Sequence, residues 1–575
     1  MKKANSFLAF LTVPLLCCCA QSVGVSQHDT GVFEYKEIYL SDAMGAQGKK
    51  LGLNSVDDDW GIWGHNLKRV LPKDPSALVY AMDEGQQRTK DQFCFSSAKL
   101  YEYIMRYIED TYGEKKTQRF AILPNDNGLV CQCRLCKDAG NTPKDASPAV
   151  FSMIERLAKR FPNHIFFTSY YSTTKGLPSH RMPENVGVLV SAIDYHLCPV
   201  ETEHDVAFEK LLKQWSENVN HVYVWDYINN FDDYFTPFPI FRIMQRRLQM
   251  YVKNNVKGVF LNGSGTDYST MQFMHTMVLT ELLKDPNLDI EELVRKHCGK
   301  RYPNAGKLVA DFVLAQEEWT EKRGKPLPIY GGVAQAIKTY LPAEDFVAFH
   351  KSFSEIVPET SGSERRIMDR LCSVMSLTRL ELMRISGNID GYEELYAHLS
   401  ALAAKNTEVY SESCWTVDAY LKDYAEMAEH AAATKRKNLL LGKKLVPLTK
   451  LDEEYNDIRI LTDGLLGLPS NYHCGQMISS ATPALQIAIP NVPGMKKLCV
   501  WMTRNAPYHI ILPERVILTS GGVQIGNAVP VTLTSNSDRA MVEFDIPSSA
   551  RGNLVLRVVR NQEDRTMALD EIEGF

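Results

Sequence analysis

An alternation of apolar runs and amphipathic stretches dominates the first half of this chain and limits the folds open to it. Between about residues 32 and 305, short runs rich in β-branched or aromatic side chains are each followed by a polar loop and a stretch with helical spacing. The candidate strands are residues 33–40, 60–64, 120–123, 164–170, 186–193, 221–225 and 258–261. Such alternation is typical of parallel strands joined by crossover helices, and it predicts a (β/α)8-type TIM barrel.

The rest of the chain changes character twice. Residues 306–440 keep helical spacing without a convincing strand, which predicts an α-helical domain. Residues 441–575 show short alternating runs separated by Gly, Pro, Asn and Ser, which predicts an antiparallel β-sandwich of the jelly-roll kind. The formal net charge of −5 gives the chain no general attraction for phosphate backbones, so nucleic acid is not expected as a partner.

The N-terminus has the layout of an export signal. Two lysines precede an apolar run that ends at Leu16, which is too short to span a bilayer, and Cys17, Cys18 and Cys19 follow it. A leucine three residues before a cysteine fits the bacterial lipobox at Cys19 or at Cys18. We favour Cys19, which predicts a signal peptide over residues 1–18 and a lipidated linker over residues 19–31.

Lipidation at Cys19 implies a place for the protein in the cell. We expect it to be exported and held on a membrane face by its lipid anchor, in the bacterial cell envelope at the outer membrane or the cell surface. The alternative is a plain cleaved signal, in which the clustered cysteines only add apolar character.

A second group of cysteines follows the third candidate strand. Cys131, Cys133 and Cys136 form a C-x-C-x-x-C cluster, with Cys94 upstream. Four thiolates are a donor set for zinc, but the C-x-C spacing is tighter than that of the usual zinc knuckles. We therefore expect disulfides or buried thiols here, with no metal and no other cofactor in the protein.

Polar and aromatic side chains of similar type follow five of the candidate strands, where the catalytic groups of a barrel lie. Carboxyl groups, amides and imidazoles bond sugar hydroxyls, and aromatic faces stack on the C–H surface of a pyranose. The pattern therefore predicts a carbohydrate pocket. Its residues are His65, Asn66, Asn125, Asp126, Tyr170, Asp194, Tyr195, His196, Trp225, Asp226 and Tyr227.

The carboxyl groups among them suggest acid–base chemistry. We expect Asp126 to act as general acid and Asp226 or Asp194 to act as base or nucleophile, while the other eight residues bind the sugar. Each residue also has a structural interpretation: Asp126 as a loop cap, Asp226 as the partner of an arginine, His65 as a buried core histidine. Motifs of other enzyme classes, such as G-x-S-x-G, a Walker loop or H-E-x-x-H, do not occur.

Several of these segments together resemble the bacterial family called domain of unknown function 4838. They are WGIWGHNL at 60–67, QFCFSS at 92–97, LPNDNG at 123–128 with the cysteine cluster, the Trp225-Asp226-Tyr227 strand end and the unit at 251–260. The resemblance covers about residues 30–305. It implies a barrel like that of glycoside hydrolases, distantly similar to α-glucuronidases and hexosaminidases.

The chain departs from hexosaminidases at one strand end, and its C-terminal segment has a resemblance of its own. Hexosaminidases carry an adjacent Asp-Glu pair where this chain reads Asn125-Asp126, so their substrate-assisted mechanism is not implied. The C-terminal segment, with LTDG at 461–464 and LDEI at 569–572, resembles a galactose-binding-like sandwich of the discoidin type.

Three functions remain compatible with the sequence. The first is a glycoside hydrolase acting on an extracellular oligo- or polysaccharide through acidic side chains at the barrel mouth. The second is a noncatalytic glycan-binding surface lipoprotein, which the lack of a glutamate at the inspected strand ends favours. The third is a structural envelope protein whose helical domain and sandwich bind other proteins.

Overall fold

A computed structural model describes residues 32–113, 116–403, 408–479, 482–533, 538–560 and 565–575. The predicted signal peptide, the lipidation site Cys19 and the linker up to residue 31 lie outside the described residues. Among the described residues, no helix combines the length and the apolar character that crossing a bilayer requires.

The described residues up to 265 include nine strands. They are β1 (Tyr35–Leu40), β2 (Trp60–Ile62), β3 (Tyr80–Met82), β4 (Arg88–Phe93), β5 (Arg119–Ala121), β6 (Ile165–Tyr170), β7 (Val186–Ser191), β8 (His221–Tyr227) and β9 (Gly258–Gly265). Strands β3 and β4 pair with each other as an antiparallel hairpin.

The other seven strands form one parallel sheet in the order β1-β9-β8-β7-β6-β5-β2. This curled sheet fits a TIM-like barrel, so the predicted barrel class is confirmed. The (β/α)8 count is corrected, because the sheet has seven strands in the described part of the chain, with β1 and β2 at its edges.

Helices lie between and after these strands. They are α1 (Gly45–Leu51), α2 (Val56–Asp59), α3 (Ala98–Thr111), α4 (Arg134–Asp138), α5 (Ser147–Arg160), α6 (Glu203–Asn218), α7 (Phe241–Lys253) and α8 (Gln272–Lys284). Helix α3 shows the principle: Leu100, Ile104 and Ile108 recur every four residues and are all buried, and Ser97 caps the helix by accepting from the Leu100 N–H at 3.3 Å.

Large aromatic side chains fill the inside of the sheet. Tyr35 stacks on Tyr223 with ring centroids 5.4 Å apart, and both contact Trp60. A Cβ atom at Gly258 would lie 2.6 Å from the Tyr223 ring, and one at Gly187 would lie 2.4 Å from Phe167. Glycine is required at these two strand positions because the rings occupy the space that any other side chain needs.

The following segment is helical. Its helices are α9 (Ile290–Arg301), α10 (Gly306–Arg323), α11 (Val333–Thr339), α12 (Ala343–Ile356), α13 (Gly362–Ile385), α14 (Glu393–Ala403) and α15 (Val417–Thr434). Their buried apolar side chains belong to the same contiguous core as the helices around the sheet. The helical segment therefore packs on the barrel without a hydrophobic core of its own.

The C-terminal segment forms two antiparallel sheets. Its strands are β10 (Val446–Pro447), β11 (Met477–Ser479), β12 (Ala484–Ile489), β13 (Lys497–Thr503), β14 (Arg515–Ser520), β15 (Val523–Pro530), β16 (Arg539–Asp545), β17 (Leu554–Val559) and β18 (Met567–Gly574). The sheet orders are β10-β12-β17-β14-β15 and β11-β18-β13-β16. Both sheets contribute to one separate core, which includes Ile487, Val500 and Ile572, so this segment is a β-sandwich.

Candidate functional site

A pocket opens at the carboxyl ends of the parallel strands. It encloses about 660 Å³ of space, part of which is open to solvent. Its walls come from the ends of six consecutive strands of the sheet, β2 and β5 to β9, and from two later loops. The lining residues are His65, Leu123, Asp126, Ser169, Tyr171, Leu189, Ser191, Ile193, Trp225, Tyr227, Phe231, Asn262, Tyr330 and Glu412.

An aromatic platform closes one side of the pocket. The Trp225 ring stacks on Trp63 with centroids 5.0 Å apart and meets the edge of Phe260 at 4.9 Å. Next along β8, the Tyr227 hydroxyl lies 3.2 Å from the Ser191 Oγ. The platform therefore combines a fixed apolar face with hydroxyl groups that can bond to a ligand.

Asp126 is exposed at the rim, in a loop that β4 holds in place. The Gln92 side chain accepts from the Asn125 N–H at 2.9 Å and donates to the Asn127 Oδ1 at 3.0 Å. The Tyr171 hydroxyl hydrogen-bonds to Asp126; burial and the negative charge of Asp126 raise the pKa of Tyr171 to about 12. Tyr171 therefore stays protonated and acts as a donor to the Asp126 carboxylate.

His65 lines the same pocket, and the hydrogen bond of its ring defines its tautomer. Its Nδ1 is 2.6 Å from the Pro124 carbonyl oxygen, which can only accept, so Nδ1 carries the proton and donates. The ring also lies against Tyr171, with centroids 5.7 Å apart. In the neutral ring, Nε2 remains as an acceptor at the pocket wall.

A second carboxyl group, Glu412, enters the pocket from the loop between α14 and α15. Backbone hydrogen bonds fix that loop: the Glu412 N–H donates to the Phe231 carbonyl at 2.7 Å, and the Phe231 N–H donates to the Ile329 carbonyl at 2.7 Å. The Tyr330 hydroxyl, in turn, donates to the Glu412 Oε2 at 3.4 Å. Both pocket loops are thus tied to the residues that follow β8.

The surroundings of Glu412 favour its protonated form. Partial burial raises the pKa of its carboxyl, the hydrogen bond from Tyr330 opposes this, and the negative charges of Asp232 and Asp126 raise the pKa further. The side chain keeps contact with solvent. The pocket therefore holds two interacting carboxyl groups, and the pKa of Glu412 is raised above its ordinary value.

One family model matches part of this chain. Residues 60–314 match DUF4838, a domain of unknown function. The family resemblance expected from the motifs is thereby confirmed, and the DUF4838 segment supplies every pocket residue except Tyr330 and Glu412. No curated protein matches the sequence significantly.

Solved structures show only distant likeness. A family GH115 4-O-methyl-α-glucuronidase with specificity for decorated arabinogalactans is 11% identical, with 95% of this chain and 81% of that chain covered and a TM-score of 0.29. A GH138 enzyme targeting pectin rhamnogalacturonan II is 8% identical, with 86% and 78% covered and a TM-score of 0.25. A Streptococcus pneumoniae fucose binding module is 12% identical, with 24% and 97% covered and a TM-score of 0.19. TM-scores this low assign neither fold nor function.

Four of the residues predicted from the strand ends meet in the pocket: His65, Asp126, Trp225 and Tyr227. Two more are close by but do not line it. The Asn125 side chain donates to the Asp91 carbonyl at 2.7 Å, and Asn66 is exposed at the start of a short 3-10 helix. The structure thus brings four of the eleven predicted residues together in the pocket. The chemical roles of these residues stay predictions.

The placement of Asp226 is a correction. This residue is buried on the opposite face of β8, where its carboxylate accepts from Arg247 at 2.6 Å and from the Tyr251 hydroxyl at 2.5 Å. Successive side chains point to opposite faces of a strand, so Trp225 and Tyr227 face the pocket while Asp226 faces the helices. Asp226 therefore does not reach the pocket as the expected base or nucleophile.

Two predicted aromatic residues also point away from the pocket. Tyr170 lies on the outer face of β6, near Trp215 at 6.4 Å, because Ser169 and Tyr171 on either side of it take the inner positions. The Tyr195 ring stacks on Phe208 of α6 at 4.3 Å. The prediction that they bind sugar in this pocket is corrected, since both pack against helix α6 outside the sheet.

The last two predicted residues lie on the surface between β7 and α6. His196 is exposed with its ring 5.1 Å from His204, and exposed Asp194 forms an ion pair with Lys175. Neither lines the pocket, although the charge of Asp194 adds to the raised pKa of Tyr171. The prediction that these two residues line the pocket is therefore corrected.

Sequence reasoning missed several pocket residues. Ser169, Tyr171, Ser191 and Asn262 lie at strand ends, so knowledge of which strand face points inward would have found them. Glu412 carries no such signal, because it lies in a loop of the helical segment. The glutamate that seemed absent from the strand ends thus comes from elsewhere in the chain.

The cysteine cluster lies behind the Asp126 loop. Cys94, Cys131, Cys133 and Cys136 are all buried, and their sulfur atoms lie within 4.8 Å of one another. The ten cysteines of the described residues include no disulfide, so these four are thiols in the structure.

Proposed function

We propose that this protein is a glycoside hydrolase that acts on an extracellular glycan, with Glu412 as general acid and Asp126 as base or nucleophile. The observation that carries the proposal is the meeting of these two carboxyl groups in one aromatic-lined pocket at the carboxyl ends of parallel strands. Glycosidic bond cleavage requires this combination of a proton donor and a carboxylate.

The two environments support different roles. Partial burial is the main cause of the raised pKa of Glu412, and a raised pKa is the shift that suits a proton donor to the leaving oxygen. Both residues are exposed, but Asp126 accepts a hydrogen bond from Tyr171, as suits a carboxylate that activates water or attacks the anomeric carbon. This assignment replaces the sequence-based expectation that Asp126 is the acid.

The rest of the pocket supports a sugar as substrate. Trp225 offers a flat apolar face, while Ser191, Tyr227 and Asn262 offer hydroxyl and amide groups on the neighbouring strand ends. The loops with Tyr330 and Glu412 supply the remaining side chains of the pocket wall.

The test measures the turnover of two variants on a series of aryl glycosides. The leaving groups of the series range from poor to activated. Glu412→Gln should lose at least about 100-fold in turnover on poor leaving groups and much less on activated ones, which depart without protonation. Asp126→Asn should lose activity on both. Glu84→Gln and Asp74→Asn, matched changes at exposed positions outside the pocket, serve as controls.

Two outcomes would contradict the proposal. Binding of glycans without turnover across a broad panel would leave the noncatalytic glycan-binding lipoprotein as the function. A loss in Glu412→Gln that is the same for all leaving groups would remove Glu412 from the role of acid and return that role to Asp126.

The cellular setting is part of the proposal. The apolar run before the clustered cysteines supports export and lipid anchoring at Cys19 in the cell envelope, and the C-terminal sandwich is proposed to be of the galactose-binding-like jelly-roll type. Labelling with a fatty-acid analogue should be lost in Cys19→Ala. Retained labelling would contradict the anchor at this residue.

A further inference from the structure

We propose that Cys94, Cys131, Cys133 and Cys136 bind one zinc ion in a closed structural site. The four residues come from two separate parts of the chain, one just after β4 and the others between β5 and the end of α4. This inference is independent of the reaction that the pocket performs.

The sulfur positions match tetrahedral coordination. A zinc–sulfur bond of about 2.3 Å places the sulfur atoms of a tetrahedral site about 3.8 Å apart. The Cys94 Sγ lies 3.6 Å from the Cys133 Sγ and 3.7 Å from the Cys136 Sγ, and all four sulfur atoms lie within 4.8 Å of one another. A cation at their centre would therefore reach all four with little movement.

The arrangement differs from that of disulfides. Two disulfides would divide the sulfur atoms into two bonded pairs at about 2.05 Å. Here Cys94 is nearly equidistant from two different partners, so the cluster has no preferred pairing. Four mutually close sulfur atoms are the geometry of a shared ligand.

The four sulfur ligands limit which metal can bind here. Four thiolates in a tetrahedral arrangement are typical of zinc or iron–sulfur centres, and the spacing Cys133-x-x-Cys136 is that of a zinc knuckle. The Met82 N–H donates to the Cys131 Sγ at 3.3 Å, an outer contact of the kind that orients a metal-bound sulfur. With four protein ligands, the ion has no open position for a substrate, so its role is structural.

Zinc here would hold the pocket loop in place. Asp126 lies five residues before Cys131 in the same loop, and the Gln132 N–H donates to the Met82 carbonyl at 2.7 Å. The ion thus joins the β3–β4 hairpin to the segment that carries Asp126, next to the hydrogen bonds from Gln92. It replaces the disulfides or buried thiols expected from the spacing of the cysteines.

The test is elemental analysis of the purified full chain, prepared without chelator. We expect about one zinc per chain, falling below about 0.1 in Cys133→Ser. Cys298→Ser removes a buried thiol in α9, away from the cluster, and it should keep the zinc. Iron in place of zinc, or no metal at all, would overturn the proposal.

A second measurement keeps the test decisive if Cys133→Ser does not fold. The unmodified chain is unfolded without reductant in the presence of a chelator and a thiol-alkylating reagent, and its peptides are mapped by mass spectrometry. We expect all four cysteines to be alkylated. Disulfide-linked peptides among Cys94, Cys131, Cys133 and Cys136 would overturn the zinc site.

Discussion

At the scale of single residues, the contact between Tyr330 and Glu412 bears on the proposed chemistry of the pocket. The Tyr330 hydroxyl donates to the Glu412 carboxylate, which favours the ionised form and partly offsets the effect of burial on the pKa. If Glu412 is the general acid, activity should fall as pH rises through its pKa, because the required proton is then lost.

This contact yields a prediction with a definite sign. Tyr330→Phe removes the hydrogen bond to the carboxylate but keeps the ring against Phe231, 5.9 Å away. The pKa of Glu412 should rise further, so the alkaline limb of kcat/KM against pH should move to higher pH. The pH–rate profiles of the two proteins provide the measurement, and an unmoved alkaline limb would contradict the role of Glu412 as acid.

The strand-end residues show how far single positions can be predicted from sequence. His65, Asp126, Trp225 and Tyr227 were found because polar side chains after apolar runs mark the mouth of a barrel. Asp226 and Tyr170 were misplaced because both faces of a strand in a covered parallel sheet are apolar. Without an alternating pattern, the sequence does not show which side chains face inward.

At the scale of elements, the buried ion pair of Asp226 joins β8 to the helical layer. Arg247 of α7 donates to the Asp226 carboxylate and also to the carbonyl oxygens of Tyr195 and His196, at 2.5 and 2.8 Å. One guanidinium thus links a strand, a helix and the loop that follows β7. Both members of the pair are almost fully buried.

Breaking this link should lower stability strongly. Asp226→Ala leaves the Arg247 charge buried without its carboxylate, a change that costs about 3–5 kcal/mol. Denaturant unfolding of the variant measures the loss. Asp226→Ala combined with Arg247→Met should recover part of it, because the unpaired charge is gone. A single variant as stable as the unmodified chain would show that the pair contributes little to the fold.

At the scale of the whole molecule, the three segments meet around the pocket loops. The His473 Nε2, in the sandwich segment, donates to Asp232 at 2.9 Å, and Asp232 also accepts from the Gly331 N–H at 3.1 Å, next to Tyr330. A chain of contacts therefore runs from the sandwich through the residues after β8 to the pocket mouth.

Local sequence patterns do not predict these contacts between the three segments. The alternation of strands and helices predicted the parallel sheet, and the short alternating runs predicted the sandwich, since both arise from neighbouring residues. The approach of Glu412 to Asp126 depends on how the helical segment packs, which no local periodicity encodes. The shared core of barrel and helical segment was missed for the same reason.

The stability of the whole chain should depend on pH through buried carboxyl groups. Burial raises the pKa of Glu37 to about 8 and that of Glu317 to about 7. A raised pKa in the folded state means that the stabilisation is complete below the pKa of the unfolded chain, near 4.5, and is lost as pH rises through 7–8. Burial lowers the pKa of His275 and His350 to about 4, so stability also falls in acid below about pH 6.5.

Glu37 offers the sharpest test of this dependence. It is buried on β1, where it accepts from the Tyr35 hydroxyl and from the Val56 N–H at 3.0 Å. Glu37→Gln keeps the shape of the neutral acid and has nothing to ionise. Between pH 6 and pH 9 the variant should therefore lose on the order of 2 kcal/mol less stability than the unmodified chain. Thermal or denaturant unfolding at the two pH values measures the difference. Equal alkaline losses in the variant and the unmodified chain would show that Glu37 is already ionised at pH 6, with its charge stabilised by the Tyr35 and Val56 hydrogen bonds.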